Sequence, residues 1–163
     1  ISYATAHPTT FIGWNGNNYD WYYTGSSSTD NTRWTTSEKD KSIYDPCPSG
    51  WRVPDGGDNG VWSKALGSSS SFTNWSLYSS SNAGMNFSGE FGSASTIWYP
   101  ASRYRDYCDG SLYNVGGLGY YWSASPFNYC AYSLYFNYNG GVLPSSNSGS
   151  AFGYSVRCYK VTE

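Results

Sequence analysis

At 163 residues the chain has the length of a single domain. With 12% charged residues and a net charge of -2, it lacks the basic surface that nucleic acid or anionic lipid would need. Aromatic residues make up 20%, which separates it from disordered sequences and predicts a core built from rings. No apolar run approaches the about 18 residues of a membrane-spanning helix, so direct membrane insertion is not expected.

In chain order, the ring-rich or alternating stretches Thr10 to Trp14, Tyr19 to Tyr23, Trp51 to Pro54, Thr96 to Pro100, Gly119 to Ala124, Ala131 to Phe136 and Tyr154 to Val161 read as short strands. Gly, Pro, Asn and Ser recur densely between them, as at Pro46 to Gly50, Pro54 to Gly60, Gly67 to Ser71 and Asn139 to Gly141. One short helix is expected over Gly60 to Leu66, where Val61, Ala65 and Leu66 share a face and Gly67 ends the run. The expected class is α+β, with irregular short antiparallel strands, one or two short helices and long loops, in one domain over residues 1–163. Ile1 in place of Met leads us to expect the C-terminal part of a longer protein.

Cys47, Cys108, Cys130 and Cys158 are widely spaced with no CxxC pair, which argues against a zinc ribbon or a thioredoxin-type site. Disulfides in an oxidising compartment are the expected reading, and spacing alone leaves all three pairings open.

Three ordered segments carry a resemblance: Tyr44-Asp45-Pro46-Cys47-Pro48-Ser49-Gly50-Trp51-Arg52-Val53-Pro54, Tyr120-Tyr121-Trp122-Ser123-Ala124-Ser125 and Gly153-Tyr154-Ser155-Val156-Arg157-Cys158. Together the sequence resembles the domain found at the C-termini of fimbrillin-like and other surface proteins of gut Bacteroidetes, related to the Fibrobacter succinogenes major paralogous domain. Pro8 to Ile12 and Asp20 to Tyr22 look like the lead-in of such proteins, so the likeness covers nearly the whole chain. The resemblance implies a C-type lectin-like fold, in which the two chain ends meet in one sheet and a long irregular region displays a ligand surface. It also implies a Cys47–Cys158 disulfide, because these two cysteines recur together in the family. Formylglycine-generating-enzyme-like proteins of that fold have an ending similar to Gly153 to Arg157, a likeness of fold that carries no copper site over.

The fold also includes the variable proteins of diversity-generating retroelements, in which an asparagine codon is randomised at its first two positions. Such a codon never yields Lys, Glu, Gln, Met or Trp. Between Tyr104 and Arg157 only Trp122, inside a fixed motif, belongs to that set, so residues 104–157 form the candidate variable region.

The candidate ligand surface comprises Tyr104, Arg105, Asp106, Tyr107, Tyr113, Leu118, Phe127, Asn128, Tyr129, Tyr132, Tyr135, Tyr138, Asn139 and Phe152, with Tyr120 in the same ring cluster. Tyr, Ser, Gly and Asn are the palette of antibody paratopes, but ordinary strand packing also uses rings. Alternation divides them: Leu134 and Phe136 share a face with Tyr132 and are expected to be buried, and Tyr135 points the other way, towards solvent. Phe127, Asn128, Tyr129, Tyr138 and Asn139 lead the set because loops seldom carry core residues. Arg105 and Asp106 add polar reach, and Trp51 and Trp122 are assigned to structure. Cys108 and Cys130 are expected to pair, since two free exposed thiols are a liability in an oxidising compartment.

Asp55, Asp58 and Asn59 offer three oxygens of the kind calcium takes, without the spacing or bidentate acid of an EF-hand, so a solvated turn and no cofactor are expected. The tripeptides of calcium-dependent lectins are absent as well. His7 has no nucleophile partner in view, and Asp106 and Asp109 lie in the variable-looking loop, so no enzyme chemistry is expected. The expected function is an extracellular ligand-binding or adhesion module, on a cell surface or phage particle, whose partner is a surface protein or glycan of another cell. A pilus or fimbrial subunit domain and a phage receptor-binding tail domain are the alternatives.

Overall fold

A computed structural model describes residues 2–13, 33–35, 40–66, 75–77, 83–87, 97–113 and 115–161. The strand expected over Tyr19 to Tyr23, the lead-in Asp20 to Tyr22 and the turn at 67–71 lie outside the described residues. Among those described, the elements are α1 (Ser2–Ala6), β1 (Trp51–Arg52), α2 (Val61–Leu66), β2 (Trp75–Leu77), β3 (Ala83–Asn86), β4 (Trp98–Pro100), β5 (Tyr104–Arg105), β6 (Leu112–Tyr113), β7 (Leu118–Phe127), β8 (Cys130–Asn137), β9 (Val142–Gly149) and β10 (Tyr159–Lys160). The architecture is thus mostly short antiparallel strands with very little helix.

The largest sheet is β7-β8-β9, antiparallel throughout, with Gly119 opposite Phe136 and Tyr121 opposite Leu134. One face of it closes the main core. Tyr121, Leu134, Phe136 and Val142 pack there with Trp62 and Leu66 of α2, Met85 of β3, Phe87 just after β3, and Tyr99 of β4. The rings meet edge-on, Phe87 at 5.3 Å from Tyr99 and 5.9 Å from Phe136, the geometry that aligns a ring's positive edge with its neighbour's negative face. Trp62 Nε1 donates to the Tyr99 hydroxyl at 3.2 Å, so the one polar atom of that indole is satisfied inside the core. The expected helix forms, but its buried face is centred on Trp62 and Leu66, with Val61 and Ala65 only partly covered. The i, i+4 spacing of the two larger side chains outweighs the Val61–Ala65 stripe.

The C-terminal strand returns to the start of this unit. β10 pairs with β1, Lys160 opposite Trp51 and Tyr159 opposite Arg52, and the Val161 amide donates to Gly50. Beneath this pair lies the Cys47–Cys158 disulfide, with a Cα–Cα distance of 5.7 Å, packed with Val53, Ala124 and Trp34. Asp45 holds the segment in place. Its buried carboxylate accepts from the Cys47 amide at 2.8 Å and the Val53 amide at 2.9 Å, and Lys41 Nζ pairs with it at 3.3 Å. A disulfide across such a separation belongs to an oxidising compartment. No helix among the described residues is long and apolar enough to cross a membrane.

The expected bridge between Cys108 and Cys130 does not form, and both thiols are free. Cys108 sits in the turn after β5, where its amide is held by the Asp106 carboxylate at 2.9 Å, whereas Cys130 opens β8 in register with Phe127 and Gly149. Each backbone is fixed by its own hydrogen bonds in a different element.

Candidate functional site

The other face of β7-β8-β9 carries the alternate residues: Leu118, Tyr120 and Trp122 from β7, Tyr135 and Asn137 from β8, and Leu143 from β9. The segment after β9 then lies along the free edge of β7. Ser155 donates to Tyr120 at 3.2 Å and accepts from Trp122 at 2.9 Å, and Gly153 exchanges two backbone hydrogen bonds with Arg105 at 2.9 and 3.0 Å. Residues 153–155 therefore splice the small β5-β6 hairpin onto the large sheet. Gly153 is needed for this approach, because a Cβ there would lie 2.9 Å from Cβ of Arg105 and 3.0 Å from the Phe11 ring.

The splice brings rings from four chain segments into one connected cluster. Tyr154 stacks on Trp122 at 4.2 Å and on Tyr120 at 4.6 Å, and Tyr120 reaches Tyr135 at 4.9 Å. On the other side Tyr104 meets Tyr120 at 5.3 Å, Phe152 at 5.4 Å and Tyr113 at 5.8 Å, and Tyr107 meets Phe152 at 4.8 Å. Only Trp122 is buried; the other rings are part-exposed, and Tyr113 at the rim is 47% exposed. Tyr135 is half-buried, because Tyr120 leans against it.

No family model, curated protein or solved structure matches this chain. Its site is accordingly read from its own residues.

Of the residues singled out from the sequence, Tyr104, Tyr107, Tyr113, Tyr135 and Phe152 come together, with Leu118 and Arg105 beside them. Those expected to lead do not join this group. Asn128 and Tyr129 form the β7–β8 turn, Asn128 in the left-handed region at φ 52°, and Tyr138 and Asn139 lie in the β8–β9 turn. These turns sit at opposite ends of β8, about 25 Å apart for eight residues of strand. Tyr129 is 57% and Tyr138 56% exposed, but a single small ligand cannot span both. Phe127 and Tyr132 make a separate pair at 5.0 Å near the first turn. Asp106 and Asp109 serve the turn between β5 and β6: Asp106 accepts from Cys108, and Asp109 from the Ser111 amide at 2.9 Å and hydroxyl at 2.6 Å. These Ser111 donors hold the Asp109 carboxyl below its ordinary range.

Sequence reasoning missed Tyr154 and placed Trp122 with structure alone. Tyr154 was legible only as part of a terminal motif, because its partners are set by the crossing of residues 153–155. Also missed is a cleft of about 280 Å³ at the edge of the ring cluster, lined by Ser102, Arg103, Tyr104, Arg105, Leu112, Gly153, Tyr154 and Ser155.

Asp55 pairs with Arg52, and among the described residues no three His, Cys, Asp or Glu side chains are grouped to hold a metal.

Burial sets the chemistry of the phenols. Tyr120 is pushed up to about 12, first by burial and then by the neighbouring Tyr135 and Tyr104, and Tyr121 to about 12 by burial. Tyr154 is raised as well, chiefly by burial, against the opposing Ser148 hydrogen bond. Because the folded values lie above the unfolded value of about 10, the folded state keeps protons that the unfolded state loses. The stability these rings contribute is complete below pH 10 and falls as pH rises through about 12. Thermal melts across this range should show that loss, with the phenolate absorbance of these tyrosines appearing later than that of the exposed ones. Full phenolate titration near pH 10 without unfolding would contradict this packing.

Proposed function

We propose that this chain is an extracellular ligand-binding module of the C-type lectin-like fold, and that its ligand surface is the ring cluster on the outer face of β7-β8. The observation that carries this reading is the assembly of part-exposed rings from four chain segments on a sheet whose other face already forms the core. Rings kept at a half-covered surface supply rigid contact area at low entropic cost, which is how paratopes use Tyr. The fold reading is supported by the sequence motifs together with the β1–β10 pair and the disulfide at the two ends of the described unit. The expected partner is a surface protein or glycan of another cell.

Screening the purified chain against immobilised glycans and cell-surface proteins tests this, followed by variants at the rim of the cluster. Tyr107→Ala and Tyr113→Ala should each weaken binding at least tenfold, about 1.4 kcal/mol, with a melting temperature close to the parent's. Tyr129→Ala, in the distant turn, should leave binding within about twofold, the ~0.5 kcal/mol range usual for surface changes away from a site. Binding that survives loss of both rim tyrosines sinks the assignment, and sedimentation showing association through this face would favour a subunit role. Retroelement diversification has its own test: a near-copy of the coding segment for residues 104–157, with adenines at the variable positions, beside a reverse transcriptase gene.

A further inference from the structure

We infer that the cleft lined by Arg103, Arg105, Ser102, Ser155, Tyr104 and Tyr154 is an acid-recognition subsite that takes the carboxylate of an acidic sugar residue, of the uronic-acid kind. The inference rests on the ring surface being the ligand surface, and names the ligand chemistry at its edge.

Arg103 is the first reason. Its backbone lies in the left-handed region at φ 71°, where long side chains rarely sit and glycine is the ordinary occupant. The Arg103 amide is pinned there by a 3.1 Å hydrogen bond to Leu118. Its Nε is buried without a hydrogen-bond partner, although buried donors are almost always satisfied. Strain and an orphaned donor in one residue mark a position that folding alone does not explain.

Charge is the second. Among the described residues neither Arg103 nor Arg105 has a carboxylate within ion-pair distance, and Arg105 gives one of its donors to the Gly110 carbonyl at 2.9 Å. The neighbouring Asp106 accepts from the amide of Cys108, inside its own turn. Two arginines thus line a small cleft in a chain whose net charge is negative, so the attraction for anions is local. The planar fork of Arg is suited to bidentate recognition of a carboxylate.

Shape and lining favour a sugar over a peptide as the bearer of that carboxylate. About 280 Å³ is at the small end for ligand pockets, enough for one ring rather than an extended chain. The Ser102 and Ser155 hydroxyls, 2.7 Å apart, offer donors and acceptors to sugar hydroxyls, and the part-exposed Tyr104 lines the cleft beside them.

Titration of the intact chain with methyl β-glucuronide and methyl β-glucoside, followed by heteronuclear NMR, tests the proposal, since the two probes differ only in the carboxylate. The glucuronide should bind at least tenfold more tightly, the scale of a charge-assisted pair. Arg103→Gly should erase that difference while melting at or above the parent's temperature, because glycine relieves the left-handed strain; Arg105→Gln should reduce it. Equal affinity for the two sugars, or glucuronide binding unchanged in Arg103→Gly, would overturn the proposal. An acetylated dipeptide that binds through its terminal carboxylate as tightly as the glucuronide would overturn the choice of a sugar. If neither sugar binds, the acid subsite is wrong, and the ring-surface reading still stands or falls on Tyr107→Ala and Tyr113→Ala.

Discussion

Replacing Cys47 and Cys158 together by alanine should cost on the order of 4 to 5 kcal/mol, the chain-entropy value for closing a loop of 111 residues. At about 2 to 4 °C per kcal/mol for a domain of this size, the melting temperature should fall by roughly 8 to 20 °C. The comparison is cleanest in a background with Cys108→Ser and Cys130→Ser, since both thiols are free and would otherwise oxidise to each other or between molecules when the chain unfolds. The same background should itself melt within a few degrees of the parent, as neither thiol braces the fold. The loss has a structural side as well, because the bridge lies in a small cluster with Val53, Ala124 and Trp34 under the β1–β10 pair. A loss below about 1 kcal/mol would mean that the β1–β10 hydrogen bonds and the Asp45 carboxylate already hold the ends together without it.

The second large effect is expected at Gly119. A methyl group there would overlap the ring of Phe136, its partner across the β7–β8 register, and Phe136 is fully buried with Phe87 and Tyr121 against it. The ring has nowhere to go. Gly119→Ala should therefore cost about 3 kcal/mol, the upper part of the range for overpacking. Phe136→Leu opens room at the same point, so the double variant should be more stable than the two single losses would add up to, by about 1 kcal/mol or more. Chemical denaturation of the four proteins of this cycle measures the coupling. Strict additivity would show that the methyl group is accommodated elsewhere.

What the sequence revealed follows from which elements carry their own signal. β7 and β8 alternate in large side chains and lie near the expected positions, as does α2, whose Gly-rich lead-in marks its start. The Cys47–Cys158 pair followed from the motifs rather than from spacing. β9, with the sequence VLPSSNSG, has almost no strand-forming residues beyond Val142 and Leu143, and was not anticipated. It exists because β8 offers a second edge, with a register shift between Ser133 and Tyr135 that accommodates it. The two-residue strands β5 and β6 are likewise products of tertiary context.

The site was legible in composition but not in arrangement. Rings such as Tyr104 and Phe152 could be named, yet the crossing of residues 153–155 between β5 and β7 that joins them is a long-range pairing no local pattern encodes. The turn residues Tyr129 and Tyr138 showed the reverse: correctly placed in turns, they are separated by the length of β8. Arg103 gave no signal at all, because its left-handed backbone is invisible in the identity of the residue.

The position of the disulfide bears on how the molecule carries tension. A pull transmitted through the backbone ahead of Cys47 and behind Cys158 passes through one covalent bond, and the 111-residue span it encloses, including the ring-bearing sheet, is bypassed. Stretching the oxidised chain between those points would extend only the segments outside the bridge. The reduced chain would first have to peel β10 from β1, a separation resisted by the few hydrogen bonds of two paired residues.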